Sequence, residues 1–304
     1  MYLTTARTTQ DPARTARRPP LSLRLAAHRV AGAPRPYSRH DHDYFTDLFA
    51  PFGLDLDQRA FDAGRVSFTD LVAELLPELG PYADGFDLAL LAGATADAEP
   101  GWPLCFLSES VQDAGLVMGI ADQGVVSPFT ALRLAAERAR PGRPWRALLF
   151  VLDQSSVLHT AALPERLRAR EDSGVVLVLE AGGAPGALTV PPVRRPAPEE
   201  VADHWSDMVE AARPDSGGRP LTLIPGPHLR SLAKPPPFPA EVLEASYGRP
   251  CTGIWALLAE RLPRWSVAGR RVVLADYDPD LGRLAGCVID IEPADRPVDG
   301  TEES

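Results

Sequence analysis

Gly115–Ala139 reads GLVMGIADQGVVSPFTALRLAAERA, and the change of pattern inside it decides the fold class. Gly115–Ala121 is a short apolar run of strand length. Asp122, Gln123 and Gly124 make a tight polar turn, and Ser127-Pro128 then places a capping hydroxyl and a proline at a helix start. Leu132, Leu134, Ala135, Ala136 and Ala139 follow, small enough for a buried helix. Strand, tight turn and small-residue helix form the building unit of an α/β protein.

The same grammar extends outward. Leu21–Val30 alternates as an opening strand, whereas Arg35–Asp62 carries no period that places it. Ser67 caps a helix through Phe68, Leu71, Val72, Leu75 and Leu76, whose spacing gives one apolar stripe. Phe86–Ala92 (FDLALLA), Trp145–Asp153 (WRALLFVLD) and Asp172–Glu180 (DSGVVLVLE) read as strands buried on both faces. After a Pro- and Arg-rich crossing at Val193–Pro198, a second unit follows. It has helices over Pro198–Ala212, Ala240–Tyr247 and Thr252–Leu262 and a strand at Pro220–Pro225. A hairpin of Arg270–Tyr277 with Leu284–Ile291 closes it. The expected organisation is a disordered leader over 1–20, an N-terminal half over 21–192, a C-terminal half over 193–291 and an acidic tail over 292–304.

The chain has 304 residues, enough for a full core, and its 41 acidic against 31 basic residues give no nucleic-acid footprint. No run reaches the roughly 18 apolar residues of a membrane span. Cys105, Cys251 and Cys287 are far apart, without the spacing of a disulfide framework or zinc site, and are expected to be buried structural thiols in a cytoplasmic protein. Arg39-His40-Asp41-His42-Asp43 reads as a solvated loop and not as a metal site, Ser155-Ser156 with His159 is no catalytic arrangement by itself, and no phosphate-binding glycine motif follows a strand. Neither metal nor cofactor is expected.

Taken in order, seven segments resemble the thiolase fold, most closely the β-ketoacyl-acyl-carrier-protein synthase III family. FDLALLAGAT and GIADQGVVSPFTALRLAAERA stand where that family has a strand and then its nucleophile turn. RALLFVLDQSS and DSGVVLVLE resemble the strands closing the first half. LTLIPGPHLRSL resembles the strand that delivers the catalytic His, YGRPCTGIWALLAERL the Gly-Asn-Thr turn opening a helix, and RRVVLADYDPDLGRLAGCVIDI the final hairpin. The resemblance covers about two thirds of the chain and implies a duplicated five-layer αβαβα fold.

It also implies where chemistry has been lost. The family needs a Cys at the start of a buried helix, where the helix dipole favours a thiolate. Asp122 or Gln123 takes that position here, depending on a one-residue gap, and neither forms a thioester. His228 fits the position of the His that stabilises an enolate, although a His after Pro227 also serves simply to cap a strand end. Arg249 replaces the Asn, and Pro250 removes a backbone donor from its turn. Tyr277–Gly282 puts bulk and two carboxylates where the family has small residues.

The resemblance therefore implies a catalytically degenerate ketosynthase-like protein, the non-catalytic partner of an active ketosynthase in polyketide or fatty-acyl assembly. The alternative is an acyltransferase or malonyl-thioester decarboxylase using His228 with Asp122 or Gln123. A heterodimer with an active ketosynthase or a homodimer is expected, paired through the strand Trp145–Asp153. An acyl carrier protein is a further candidate partner, with Arg133, Arg138, Arg140 and Arg143 as the docking patch.

Overall fold

The computed structural model describes residues 21–99, 103–111, 114–139, 144–182, 186–214 and 218–293. The expected leader, Arg140, Arg143 and nearly all of the acidic tail lie outside these residues. Ten strands form one sheet: β1 (Leu21–Val30), β2 (Leu88–Gly93), β3 (Val117–Ile120), β4 (Arg146–Asp153), β5 (Ser173–Ala181), β6 (Ala187–Thr189), β7 (Leu221–Pro225), β8 (Glu241–Val242), β9 (Arg270–Asp278) and β10 (Arg283–Ile291). Their order is β3-β2-β4-β5-β1-β6-β10-β9-β7-β8.

That order contains a duplication. Numbered within its own half, each set of five strands runs 3-2-4-5-1, and the two sets meet where Leu21 and Ser22 of β1 face Leu188 and Ala187 of β6. Directions match as well. β2 is parallel to β3 and β4, as β7 is to β8 and β9, and the remaining pairs within each half are antiparallel.

Strand alternation sorts side chains into layers. Leu88, Leu90, Leu149, Val151 and Leu177 from one half, and Ile224, Val272, Leu274 and Cys287 from the other, enclose helices α5 (Ser127–Arg138) and α8 (Gly253–Ala268). The opposite face of the first half packs on α3 (Phe68–Leu75) and α4 (Pro103–Ser110). That of the second half packs on α6 (Val201–Ala211) and α7 (Pro227–Leu232). Helix, sheet, helix, sheet, helix is the five-layer arrangement expected from the sequence.

Four readings need correction. The segment Ala240–Tyr247 is not helical: Pro235–Pro237 and Pro239 hold the chain extended, and Glu241 and Val242 pair with Thr222 and Leu223 of β7. The strand at Trp145–Asp153 is not a free edge, because β4 lies between β2 and β5 with Leu149 and Val151 wholly buried; the edge of that half is β3. Cys105 is exposed on α4, whereas Cys251 and Cys287 are buried. The unplaced stretch before Ser67 holds α1 (Arg39–Phe49) and α2 (Gln58–Ala63). A Ser38–Asp41 capping box starts α1, but only Asp41 and Phe45 of that helix are buried, so it shows no apolar stripe. His40 and His42 ride on this helix, not on a loop.

Candidate functional site

The two central helices begin at one cavity. Its volume is about 140 Å³, small beside the roughly 300–1,000 Å³ of a pocket for a drug-sized ligand. Val125 from the turn before α5, Pro227 and His228 from the first turn of α7, Gly248–Pro250 from the turn before α8, Asp276 from β9, and Arg166 and Arg170 line it.

Each helix start is held by a buried carboxylate from the far half. Asp153, the last residue of β4, accepts from the backbone N–H of Cys251 at 3.0 Å, from that of Thr252 at 2.7 Å and from Thr252 Oγ1 at 2.8 Å. Burial pushes its carboxyl up to about 6 in spite of these donors. Asp278, the last residue of β9, accepts from Val125 N at 3.3 Å and from the N–H groups of Asp280 and Leu281 at 3.1 Å. Arg166 Nε lies 3.6 Å from it and also pairs with Asp280. Asp276 accepts from its neighbour Tyr277 N at 2.8 Å. Burial, with the Asp278 charge beside it, drives the Asp276 carboxyl well above the usual range.

His228 and Arg249 do meet at this cavity. Burial and the Arg166 guanidinium lower the His228 pKa, so its imidazole is neutral at pH 7. Arg249 Nε donates to Glu171 Oε1 at 2.6 Å, an ion pair that ties the turn to the end of the loop before β5. Gln123 is not part of this wall. Its Oε1 accepts from Arg283, and it lines a separate groove with Thr130, Arg133 and Arg195. Asp122 is exposed, with a positive φ of 58° that is uncommon outside glycine. From the turn before α5 it is Val125 that lines the cavity with His228, and its side chain carries no nucleophilic group.

Cys251 Sγ lies 3.8 Å from the Gly124 carbonyl, but burial and then the charges of Asp153, Asp276 and Asp278 drive its pKa well up. It is an inert thiol. Val125, Arg166 and Asp276 were not singled out by sequence reasoning. For Asp276 a signal existed, since it and Asp278 are two acids at alternate positions directly after the apolar run Val272–Ala275.

The other candidates are engaged elsewhere. Ser155 Oγ donates to Asp172 at 3.0 Å, and the His159 ring packs edge-on to Phe49 at 5.8 Å. Arg133 pairs with Glu137 on α5 at 3.0 Å. Among the described residues, no group of three possible ligands for a metal ion occurs and no helix is long and apolar enough to cross a membrane.

No family model and no curated protein matches the sequence. Solved structures do. ChlB3, described as an acyltransferase, superposes with a TM-score of 0.59 at 15% identity over 91% of this chain and 99% of its own. AbyA1, a tetronic acid condensing enzyme, gives 0.57 at 16% over 89% and 99%. The 3-oxoacyl-(acyl-carrier protein) synthase of Burkholderia xenovorans LB400 gives 0.57 at 16% over 91% and 95%. Coverage of nearly the whole of each partner, together with the repeated 3-2-4-5-1 strand order, establishes that this chain has the thiolase-like fold of ketosynthase III-type proteins.

Proposed function

We propose that the protein is a non-condensing ketosynthase-like subunit that works as the pocket-shaping or chain-length partner of an active ketosynthase in polyketide or fatty-acyl assembly. One observation carries this reading: the turn before α5 contributes only Val125 to the cavity wall, with no nucleophilic group, and the nearby thiol of Cys251 is buried and protonated. The similarity to ChlB3 and AbyA1 supports the polyketide setting. Strand β3 supports a partner, because Val117, Met118 and Ile120 lie on the outermost strand of the sheet without a charge among them.

Two measurements test the reading. Intact-mass spectrometry after incubation with acyl-coenzyme A should show no acyl adduct, and a stable adduct would overturn the non-condensing half. Light scattering should show association with itself or with a co-expressed ketosynthase. A well-behaved monomer of 32.8 kDa across dilution, unchanged by that partner, would remove the partner half.

A second reading, acyl transfer or malonyl-thioester decarboxylation, keeps one supporting observation. A neutral His228 facing the cavity can donate a hydrogen bond to a thioester oxygen as it becomes an enolate. Gln123, directed at Arg283, gives it no help. Carbon dioxide release from malonyl-coenzyme A, abolished in His228→Ala, would favour it.

A further inference from the structure

Strand β9 buries two carboxyls on one face, Asp276 and Asp278, at 2% and 0% exposure. Burial of a carboxyl without full compensation costs several kcal/mol, so each needs a structural reason. Asp278 has three backbone donors and Arg166. For Asp276 the described donor is Tyr277 N.

The rest of the reason stands on the facing elements, where two glycines meet these carboxyls. Gly124 opens the turn into α5, and Gly226 joins β7 to α7. A Cβ on Gly124 would overlap the Asp278 carboxylate, and one on Gly226 would overlap all three carboxyl atoms of Asp276. These are the deepest overlaps at any described glycine, far inside the 3.0 Å that real Cβ contacts respect. At Gly226 conformation does not demand glycine, since its φ is −61°; the Asp276 carboxyl does. At Gly124, φ is +56°, a left-handed conformation that glycine adopts freely and a side chain would strain, immediately before a buried helix.

We propose that Gly124 and Gly226 are the two positions from which a nucleophile and its hydrogen-bonding partner would reach the cavity, and that Asp278 and Asp276 occupy the space such side chains would need. This rests on the reading of a site that no longer condenses, and it changes where the loss lies. The vacant nucleophile position is Gly124, three residues before the first residue of α5, and not Asp122 or Gln123. The site is filled from β9 as well as stripped of its thiol. Each glycine and its acid form a matched pair, so that a side chain at the glycine needs the acid to give way.

The proposal predicts reopening. In Gly124→Cys with Asp278→Gly, the new thiol sits at the start of the turn into α5, where the positive end of the helix favours thiolate. Its sulfur attacks the acyl carbon of acyl-coenzyme A and forms a new S–C bond. The bond to the coenzyme A sulfur breaks, and coenzyme A leaves as a thiol with the proton the cysteine gave up.

Two arms decide the matter. The first is a double-mutant cycle in urea on Gly226→Ala and Asp276→Gly. Alanine alone should raise the unfolding constant at least tenfold, and in the Asp276→Gly background it should have little effect; additive behaviour overturns the pairing. The second is intact-mass spectrometry with acyl-coenzyme A, expected to show an adduct on the Gly124→Cys, Asp278→Gly variant and none on Gly124→Cys or Gln123→Cys. A folded double variant without an adduct, or an adduct on Gln123→Cys, overturns the nucleophile assignment. If the double variant does not fold, the first arm still decides the pairing of Gly226 with Asp276. An adduct on the wild type would sink the non-condensing reading without touching the cycle.

Discussion

Asp153→Ala removes the carboxylate that holds the start of α8, and its cost should depend on pH in a direction the structure dictates. The change orphans two buried N–H groups, those of Cys251 and Thr252, while Thr252 Oγ1 keeps Ser173 Oγ at 2.7 Å. At about 1–3 kcal/mol per orphaned group, the loss is about 4 kcal/mol against a protonated Asp153. Burial raises its pKa from 3.8 to about 6, so the folded protein holds this proton more tightly than the unfolded chain does. The stabilisation is therefore complete below pH ~4 and is lost as pH rises through ~6, a swing of about 3 kcal/mol for two pKa units. Alanine should then cost about 3 kcal/mol at pH 4.5 and only about 1 kcal/mol at pH 7. Urea unfolding at the two pH values, with the slope m unchanged by the substitution, measures both numbers. A larger cost at pH 7 than at pH 4.5 would mean that Asp153 is a stabilised anion, and the account of this helix start would fail.

Leu149→Lys or Val151→Lys should unfold the protein and not merely separate subunits, because both side chains are fully buried in the central strand β4; circular dichroism showing a folded monomer would contradict this placement. Native protein should react with a maleimide at Cys105 alone, with Cys251 and Cys287 labelled only in denaturant, as read by peptide mapping. Arg249→Ala should leave the Glu171 carboxylate without its guanidinium and cost about 1 kcal/mol at this partly exposed pair, less in high salt; thermal melts at two ionic strengths check it.

Elements whose own residues record their burial were legible in the sequence. FDLALLA, RALLFVLD and SGVVLVLE are apolar throughout because β2, β4 and β5 are covered on both faces, and the Ser67 cap announced α3. Helix α1 was not legible, since a helix with two buried residues has no stripe to read. The edge position of β3 was hidden for a related reason: four residues carry too little pattern to show which neighbours they pair with. In the site, His228 and Arg249 were found because they stand in recognisable turns. The encounter of Gly226 with Asp276 spans fifty positions and leaves no local trace.

The symmetry of the two halves explains how the cavity is held. Strands β4 and β9 hold the same place in their halves, each ends in an aspartate, and each aspartate caps the central helix of the other half. Asp153 takes the N–H groups leading into α8, and Asp278 takes the Val125 N–H leading into α5. A helix start offers unpaired N–H groups and partial positive charge, the resources that would stabilise a thiolate or an enolate. Both helix starts at this cavity spend them on carboxylates of the protein itself. The exchange ties the halves together across the central layer, and it leaves little positive potential for a reacting anion. The same two carboxylates that lock the duplicated fold thus occupy the N–H groups at both helix starts of the cavity.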